Sequence, residues 1–178
     1  MTRIVLYIAT TINGCIARKD GNIDWLSNHP NPDESDYGYG KFINTVDSIF
    51  MGRKTYEEIL SFDIEWPYKN QATYILTRNS NFNIKTENTF VISNLSNSVV
   101  HEIKQKSKKD IWLVGGGQLV TEFIHQGWLD EMIIFILPIV LKEGIPLFPN
   151  IEHDSYFELT DVVSYTSGIV ELKYQKKK

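Results

Sequence analysis

The stretch IWLVGGGQLVTEFI, residues 111–124, decides how the fold is read. Ile111 to Val114 is a short run of bulky apolar residues, the pattern of a strand covered on both faces. It runs directly into Gly115-Gly116-Gly117-Gln118, after which Leu119, Val120, Phe123 and Ile124 recur at helical spacing. A strand that turns through glycines into an amphipathic helix is half of a βαβ unit. The same pattern occurs upstream. Ser48 to Met51 reads as a strand, Gly52-Arg53-Lys54-Thr55 as the turn, and a helix follows to near Leu60. Towards the N-terminus, Arg3 to Thr10 is a buried strand, followed by turn signals at Asn13-Gly14 and Asp20-Gly21. A first helix is predicted over Glu34 to Thr45, with Asp33 as N-cap. Ala72 to Thr77 and Thr89 to Ser93 read as strands, Ser98 to Lys106 as a helix, and Met132 to Leu141 as a central strand. Phe157 to Tyr165 and Ile169 to Gln175 read as a closing hairpin with Ser167-Gly168 at its turn. The expectation is one α/β domain over residues 1–178: a mixed, mostly parallel sheet of about eight strands, helices on both faces, antiparallel at one edge.

Composition narrows the function classes. With 178 residues, 42% of them hydrophobic and 22% charged, the chain can bury an ordinary globular core. A net charge of −4 argues against a nucleic-acid partner, whose binding surface is normally basic. The basic run Lys176 to Lys178 reads as a solvated tail. The lone Cys15 cannot form an internal disulfide. Ile4 to Ala9 lacks an export-signal pattern, and the ten-residue apolar run Met132 to Leu141 falls short of the roughly 20 needed to span a bilayer. No membrane partner is expected, and the cytoplasm is the expected location. His29, His101, His125 and His153 lack ligand spacing, so no metal site is expected. Nor is there a nucleophile elbow or a serine–histidine–acid arrangement.

The two glycine turns carry the chemistry. In an open α/β sheet, ligands bind beyond the carboxyl ends of the strands. There glycine lets backbone approach a ligand, and a helix N-terminus offers free N–H groups to phosphate. Two such turns on neighbouring strands suit the two phosphates of a dinucleotide. Either turn alone is also what an ordinary connection looks like, and neither matches G-x-G-x-x-G or the P-loop pattern. Arg53 lies inside the first turn and Arg78 follows the strand ATYILT. Paired guanidinium hydrogen bonds would suit an additional 2′-phosphate. Six acids precede the first glycine turn: Asp20, Asp24, Asp33, Glu34, Asp36 and Asp47. Residue type does not choose among them.

The segments IATTINGCIARKDGNIDWL, SIFMGRKTYEEI, IWLVGGGQLVTEFI and GIPLFP, in this order and covering nearly the whole chain, resemble the dihydrofolate reductase-like superfamily. That group includes the riboflavin-pathway reductase domain and small stand-alone relatives. The resemblance implies a three-layer fold, NADPH as cofactor, a small nitrogen heterocycle as substrate and, as in many stand-alone relatives, a homodimer. It also implies roles. Gly52, Arg53, Lys54 and Thr55 match the turn at the adenosine-side phosphates; Thr77 and Arg78 match the 2′-phosphate contact. Gly115, Gly116, Gly117 and Gln118 match the turn facing the pyrophosphate, with the Gly115–Gly116 peptide in the cis form. The backbones of Ala9 and Ile16 match the groups that hold the nicotinamide carboxamide. Asp36, 16 residues before Gly52, matches the spacing of the active-site acid. On the substrate side the corresponding residues are Tyr7, Trp25 and Ile136.

The departures concern the substrate. Gln71 stands about where folate reductases place the arginine that pairs with the folate carboxylate, with Lys69 the nearby cation. Ile136 stands about where their threonine links the acid to the pterin. Against the riboflavin-pathway domain, Tyr7 replaces a lysine, Asn13-Gly14-Cys15 replaces Asp-Gly-Lys, and GRKT replaces a glycine–alanine turn. The reading is an NADPH-dependent reductase most like the riboflavin-pathway aminopyrimidine reductase group. The alternatives are dihydrofolate reductase and a non-catalytic dinucleotide-binding protein.

Overall fold

The computed structural model describes residues 2–79 and 81–177. In chain order its elements are β1 (Ile4–Thr11), β2 (Cys15–Ala17), α1 (Asp24–Ser27), α2 (Tyr39–Ile43), β3 (Val46–Gly52), α3 (Arg53–Leu60), β4 (Ala72–Leu76) and β5 (Thr89–Ile92). There follow α4 (Asn97–Lys106), β6 (Asp110–Gly115), α5 (Gly117–His125), β7 (Glu131–Leu137), β8 (Ile145–Pro146), β9 (Phe157–Ser164) and β10 (Val170–Lys176). Eight strands form one sheet in the order β5-β4-β3-β6-β1-β7-β10-β9. The first six pair in parallel, while β10 runs antiparallel to both β7 and β9. This is the expected mixed, mostly parallel sheet.

Side-chain alternation along the strands builds two core layers. Ile4, Leu6, Phe50, Leu113 and Ile134 face α4 and α5, meeting Val100, Ile103, Val120 and Phe123. Their neighbours Val5, Ile49, Met51, Trp112 and Phe135 face the other way, towards Trp25, Phe42 and Tyr56 of α1, α2 and α3. Helices therefore cover both faces, and near-continuous apolar strands are the consequence. Among the described residues no helix is long and apolar enough to cross a membrane.

Three expectations need correction. The strand read over Met132 to Leu141 ends at Leu137, because Pro138 has no N–H to continue a ladder and the Ile139 N–H turns back onto the Leu137 carbonyl at 2.8 Å. The helix read over Glu34 to Thr45 shrinks to Tyr39–Ile43. Glu34, Tyr37 and Gly38 have positive φ (48°, 51° and 80°), which a right-handed helix excludes. Asp33 is not the cap either: it accepts a hydrogen bond from the Thr166 hydroxyl, the cap position is Gly38, and the N–H groups of Gly38 and Gly40 donate to Asp36. The short elements β2, α1 and β8 were too brief for periodicity to reveal.

Candidate active site

A cleft of about 2160 Å³ runs over the carboxyl ends of the central strands, larger than the ~300–1,000 Å³ typical of a single small-ligand pocket. One half is walled largely by main chain. Gly52 ends β3 and Gly115 ends β6, and these strands are paired in the sheet, so the two glycine turns emerge side by side. A Cβ added to Gly52 would lie 3.7 Å from the Gly115 carbonyl oxygen, and one added to Gly116 would lie 3.8 Å from Thr55 Oγ1. Among the described residues no side chain caps either helix that starts here, α3 or α5. The first-turn N–H groups of both thus open towards one space.

The three glycines of 115–117 have different physical reasons. Gly115 is buried with φ +117°, a conformation that L side chains rarely adopt, and its peptide to Gly116 is cis. Gly116 faces Thr55 and Ile16 across the cleft. Gly117 is pressed by the 146–149 segment: an added Cβ would collide with the Pro146 carbonyl oxygen and sit 3.0 Å from that of Leu147. That segment is anchored to the first loop. Leu147 N–H donates to the Gly14 carbonyl at 2.8 Å, and the Asn13 amide bonds both backbone groups of Leu141. The resulting β2–β8 pair brings Ile16 and Pro146 to the cleft wall.

Of the residues expected to face a cofactor, Ala9, Ile16, Gly52, Arg53, Lys54, Thr55, Thr77, Arg78, Gly116, Gly117 and Gln118 all line this cleft; Gly115 lies behind the wall. Arg53 and Arg78 differ in their partners. The Arg53 guanidinium is bound along α3 to the Glu57 carboxylate, at 2.8 and 2.9 Å. Arg78 is exposed at the end of β4 and forms no ion pair among the described residues.

The other half is walled by side chains. Tyr7 stacks on Phe42 with ring centroids 4.3 Å apart and lies 4.8 Å from Phe135. Trp112 crosses edge-on to Tyr68 (5.4 Å) and Phe42 (5.5 Å), and its indole N–H donates to the Tyr7 carbonyl at 3.1 Å. The Tyr7 hydroxyl donates to the Tyr37 carbonyl at 3.0 Å, and Tyr37 packs edge-on to Tyr165 at 4.9 Å. Burial, followed by the negative charge of Glu171, pushes the Tyr7 phenol well above its ordinary value. Burial likewise raises Tyr68.

Asp36 is exposed at the edge of this wall. Its carboxylate accepts hydrogen bonds from the backbone N–H of Gly38 (2.8 Å) and of Gly40 (3.0 Å). The Gly40 bond and then the Gly38 bond hold its carboxyl below the ordinary aspartate range. It is therefore an ionised acceptor at neutral pH, not a proton donor.

Two expected substrate-side residues lie elsewhere. Ile136 packs in the opposite core layer, since β7 alternates and it is Phe135 and Leu137 that face the cleft. Trp25 is buried in the core, and its neighbours Ile23 and Leu26 line the cleft instead. Tyr37, Tyr39, Tyr68, Trp112 and Phe135 were missed. The period-two alternation of Trp112 with Val114, and of Phe135 with Leu137, was a usable signal for two of them.

This geometry agrees with three comparisons. The family model described as the RibD C-terminal domain matches residues 2–170. The chain is 34% identical over 172 residues to the uncharacterized protein YwjB of Bacillus subtilis (strain 168), covering 97% of each. A putative riboflavin biosynthesis protein from Shewanella sp. PV-4 superposes with a TM-score of 0.90 at 28% identity, covering 99% of this chain and all of that one. Dihydrofolate reductase from Enterococcus faecalis, complexed with NADP(H) and RAB-propyl, shares the fold with a TM-score of 0.71 at 19% identity, over 99% and 97% of the two chains. With the family model spanning nearly the whole chain, and with the wound sheet and paired glycine turns in place, the chain belongs to the RibD C-terminal domain family, on a dihydrofolate reductase-like fold.

Proposed function

We propose that the protein is an NADPH-dependent reductase of a small nitrogen heterocycle of aminopyrimidine or pterin type, akin to the riboflavin-pathway reductases. The observation that supports this most is the meeting of the two glycine turns, with Gly52 and Gly115 in van der Waals range and both helix starts uncapped. A dinucleotide fits that cradle. N–H groups of 52–55 and 116–118, with Lys54, would hold its phosphates; Thr77, Arg78 and, less freely, Arg53 would hold the 2′-phosphate. The backbones of Ala9 and Ile16 would hold the carboxamide. When bound, the nicotinamide supplies a hydride.

The chain's own residues do the rest. Tyr7, Trp112 and Phe135 form an apolar wall that suits a flat ring and keeps water from its faces. Asp36 accepts hydrogen bonds from ring N–H groups and stabilises the positive charge that develops as a ring nitrogen gains its proton. Because its pKa is low, Asp36 steadies that proton without supplying it. The reading also takes the protein to act in the cytoplasm, and as a homodimer. The apolar side chains exposed on β9, Leu159 and Val162, support the dimer.

Dihydrofolate is less favoured as substrate. Gln71 is buried, and the cation near it, Lys69, is tied to Glu65 at 3.1 Å and lies outside the cleft. Non-catalytic dinucleotide binding is the second alternative, since β7 presents Phe135 and Leu137 to the cleft and neither side chain can hydrogen-bond. The test is a side-by-side assay of NADPH consumption with dihydrofolate, the riboflavin-pathway aminopyrimidine and a set of pteridines, beside titrations of NADPH and NADH. Tighter binding of NADPH with turnover of one ring is expected. Equal affinity for the two cofactors, or NADPH that binds but is never consumed, would overturn the reading.

A further inference from the structure

The two halves of the cleft differ in charge as well as in construction. Arg53 and Lys54 at the start of α3 and Arg78 beyond the end of β4 lie beside the glycine turns and outnumber the acids Glu57 and Glu122 on that side. Around Tyr7, Tyr37 and Trp112 the charge has the opposite sign. Asp36 stands at the edge of the wall, while Asp20 and Glu58 lie where the first loop meets α3; a Cβ on Gly21 would sit 3.7 Å from Glu58 Oε2. Behind the wall is a further acid. Glu171 on β10 is 6% exposed and pairs across the sheet with Phe135, so it lies on the cleft face of the sheet. Its carboxylate accepts a 2.6 Å hydrogen bond from the Tyr165 hydroxyl.

The cations near this charge are shared with other acids or engaged elsewhere. Lys173 lies 3.2 Å from Glu171 but also 3.4 Å from Asp161, so one cation serves two acids. Arg18 is held by Asp24. Lys19 is the one basic side chain on the loop side of the cleft wall among the described residues, and it is bound to Glu143 at 2.7 Å and points into solvent. At the two positions where the resemblance implies a counter-ion for an anionic tail, residue 71 is a buried glutamine and residue 7 a tyrosine.

Resting on the reductase reading of this cleft, we propose that the substrate half selects a flat heterocycle that is neutral or cationic, and rejects rings carrying a phosphate or a carboxylate tail. Asp36 and the aromatic wall recognise the ring itself. The net negative charge of Asp36, Glu58, Asp20 and Glu171 disfavours any anion attached to it, since like charges repel across the cleft. The substrate is thus a ring that carries no phosphate, because one has been removed or none was added. The reaction that supplies it is accordingly a dephosphorylation or a step upstream of phosphorylation.

The test uses matched probes on the full-length protein: an aminopyrimidine riboside and its 5′-phosphate, and 6-methyldihydropterin beside dihydrofolate. Dissociation constants are read from tryptophan fluorescence with and without NADPH, so that charge preference is measured whether or not the cofactor binds. The uncharged member of each pair is expected to bind about tenfold tighter or more. In Glu171→Gln that ratio should shrink severalfold with NADPH affinity unchanged, a change that a merely structural role for Glu171 would not produce. Equal or tighter binding of the phosphorylated or tailed member, or no binding by any probe, overturns the charge selection. Failure of NADPH to bind, with the charge preference intact, would overturn the cofactor assignment instead.

Discussion

Where β3 and β6 end, backbone lines the cleft; where β1 and β7 end, side chains do. The first region is set by glycines within two contiguous segments, 52–55 and 115–118, and its chemistry is that of unpaired N–H groups beside basic residues. The second is assembled from Tyr7, Asp36, Tyr37, Tyr68, Trp112 and Phe135, which are scattered over five stretches of chain and locked together by ring packing. A site made of backbone varies little with side-chain substitution, whereas a wall of side chains can be rebuilt residue by residue; on the proposed function the first would hold the cofactor and the second would choose the substrate.

If the halves are separable, substitutions in one should leave the other's ligand untouched. The largest effect is expected from Asp36→Asn, which keeps the shape but removes the charge. Turnover and kcat/KM should both fall by about 100-fold or more, within the usual range for a group assisting proton movement. Titration should show NADPH affinity changed by less than about threefold. A parallel fall in NADPH affinity would mean that the two regions form one site.

Next in size are the arginines. Arg78→Ala should weaken NADPH binding by about tenfold to a hundredfold while leaving NADH nearly unaffected, the loss of a charge-assisted contact. Arg53→Ala should weaken it less, because Glu57 already engages that guanidinium. Calorimetry with both cofactors checks the order, and a uniform loss for NADPH and NADH would assign these residues to the pyrophosphate or to the fold.

Gly117→Ala probes packing in the main-chain half. The added methyl meets the Pro146 and Leu147 carbonyls, and the variant should lose about 2 kcal/mol of stability. For a chain of this size, that is about 4–8 °C in Tm by thermal unfolding. An unchanged Tm would mean that the 146–149 segment yields easily and does not brace the turn.

The smallest effect expected is in the pH profile. The bonds from Gly38 and Gly40 depress the Asp36 pKa in the folded state. The stabilisation they give is therefore present above the unfolded value of about 4 and lost only as pH falls through the lower folded value. Burial raises the Tyr7 phenol, so it stays protonated. Between about pH 5 and 9, kcat/KM should show no inflection from either group. An acid limb near neutrality that disappears in Asp36→Asn would place a proton on Asp36 during the reaction and sharpen its role to that of an acid.

Most of the architecture was legible because it rests on local rules. Apolar runs such as Ile111–Val114, glycines at 52 and 115–117, and the helical spacing of Leu119, Val120, Phe123 and Ile124 each declare a strand, a turn or a helix within one window. Asp36, expected on a helix over 34–45, instead precedes a single helical turn reached through left-handed residues at 34, 37 and 38, a local conformation that residue type did not declare. What failed was anything that depended on which face of an element points where. Ile136 and Phe135 are adjacent in sequence and equally apolar, yet one residue of register sends them to opposite layers.

The sequence by itself determined the order of strands and helices, the two glycine turns and the presence of basic residues after β3 and β4, because each is encoded in consecutive residues. Only the tertiary structure decided that β3 and β6 lie side by side, so that the turns share one space, and that Glu171 of the last strand stands behind a wall begun at Tyr7 of the first. The physical reason is that strand order and register are settled by burying both sheet faces at once. That is a property of the whole chain, and no window of sequence contains it.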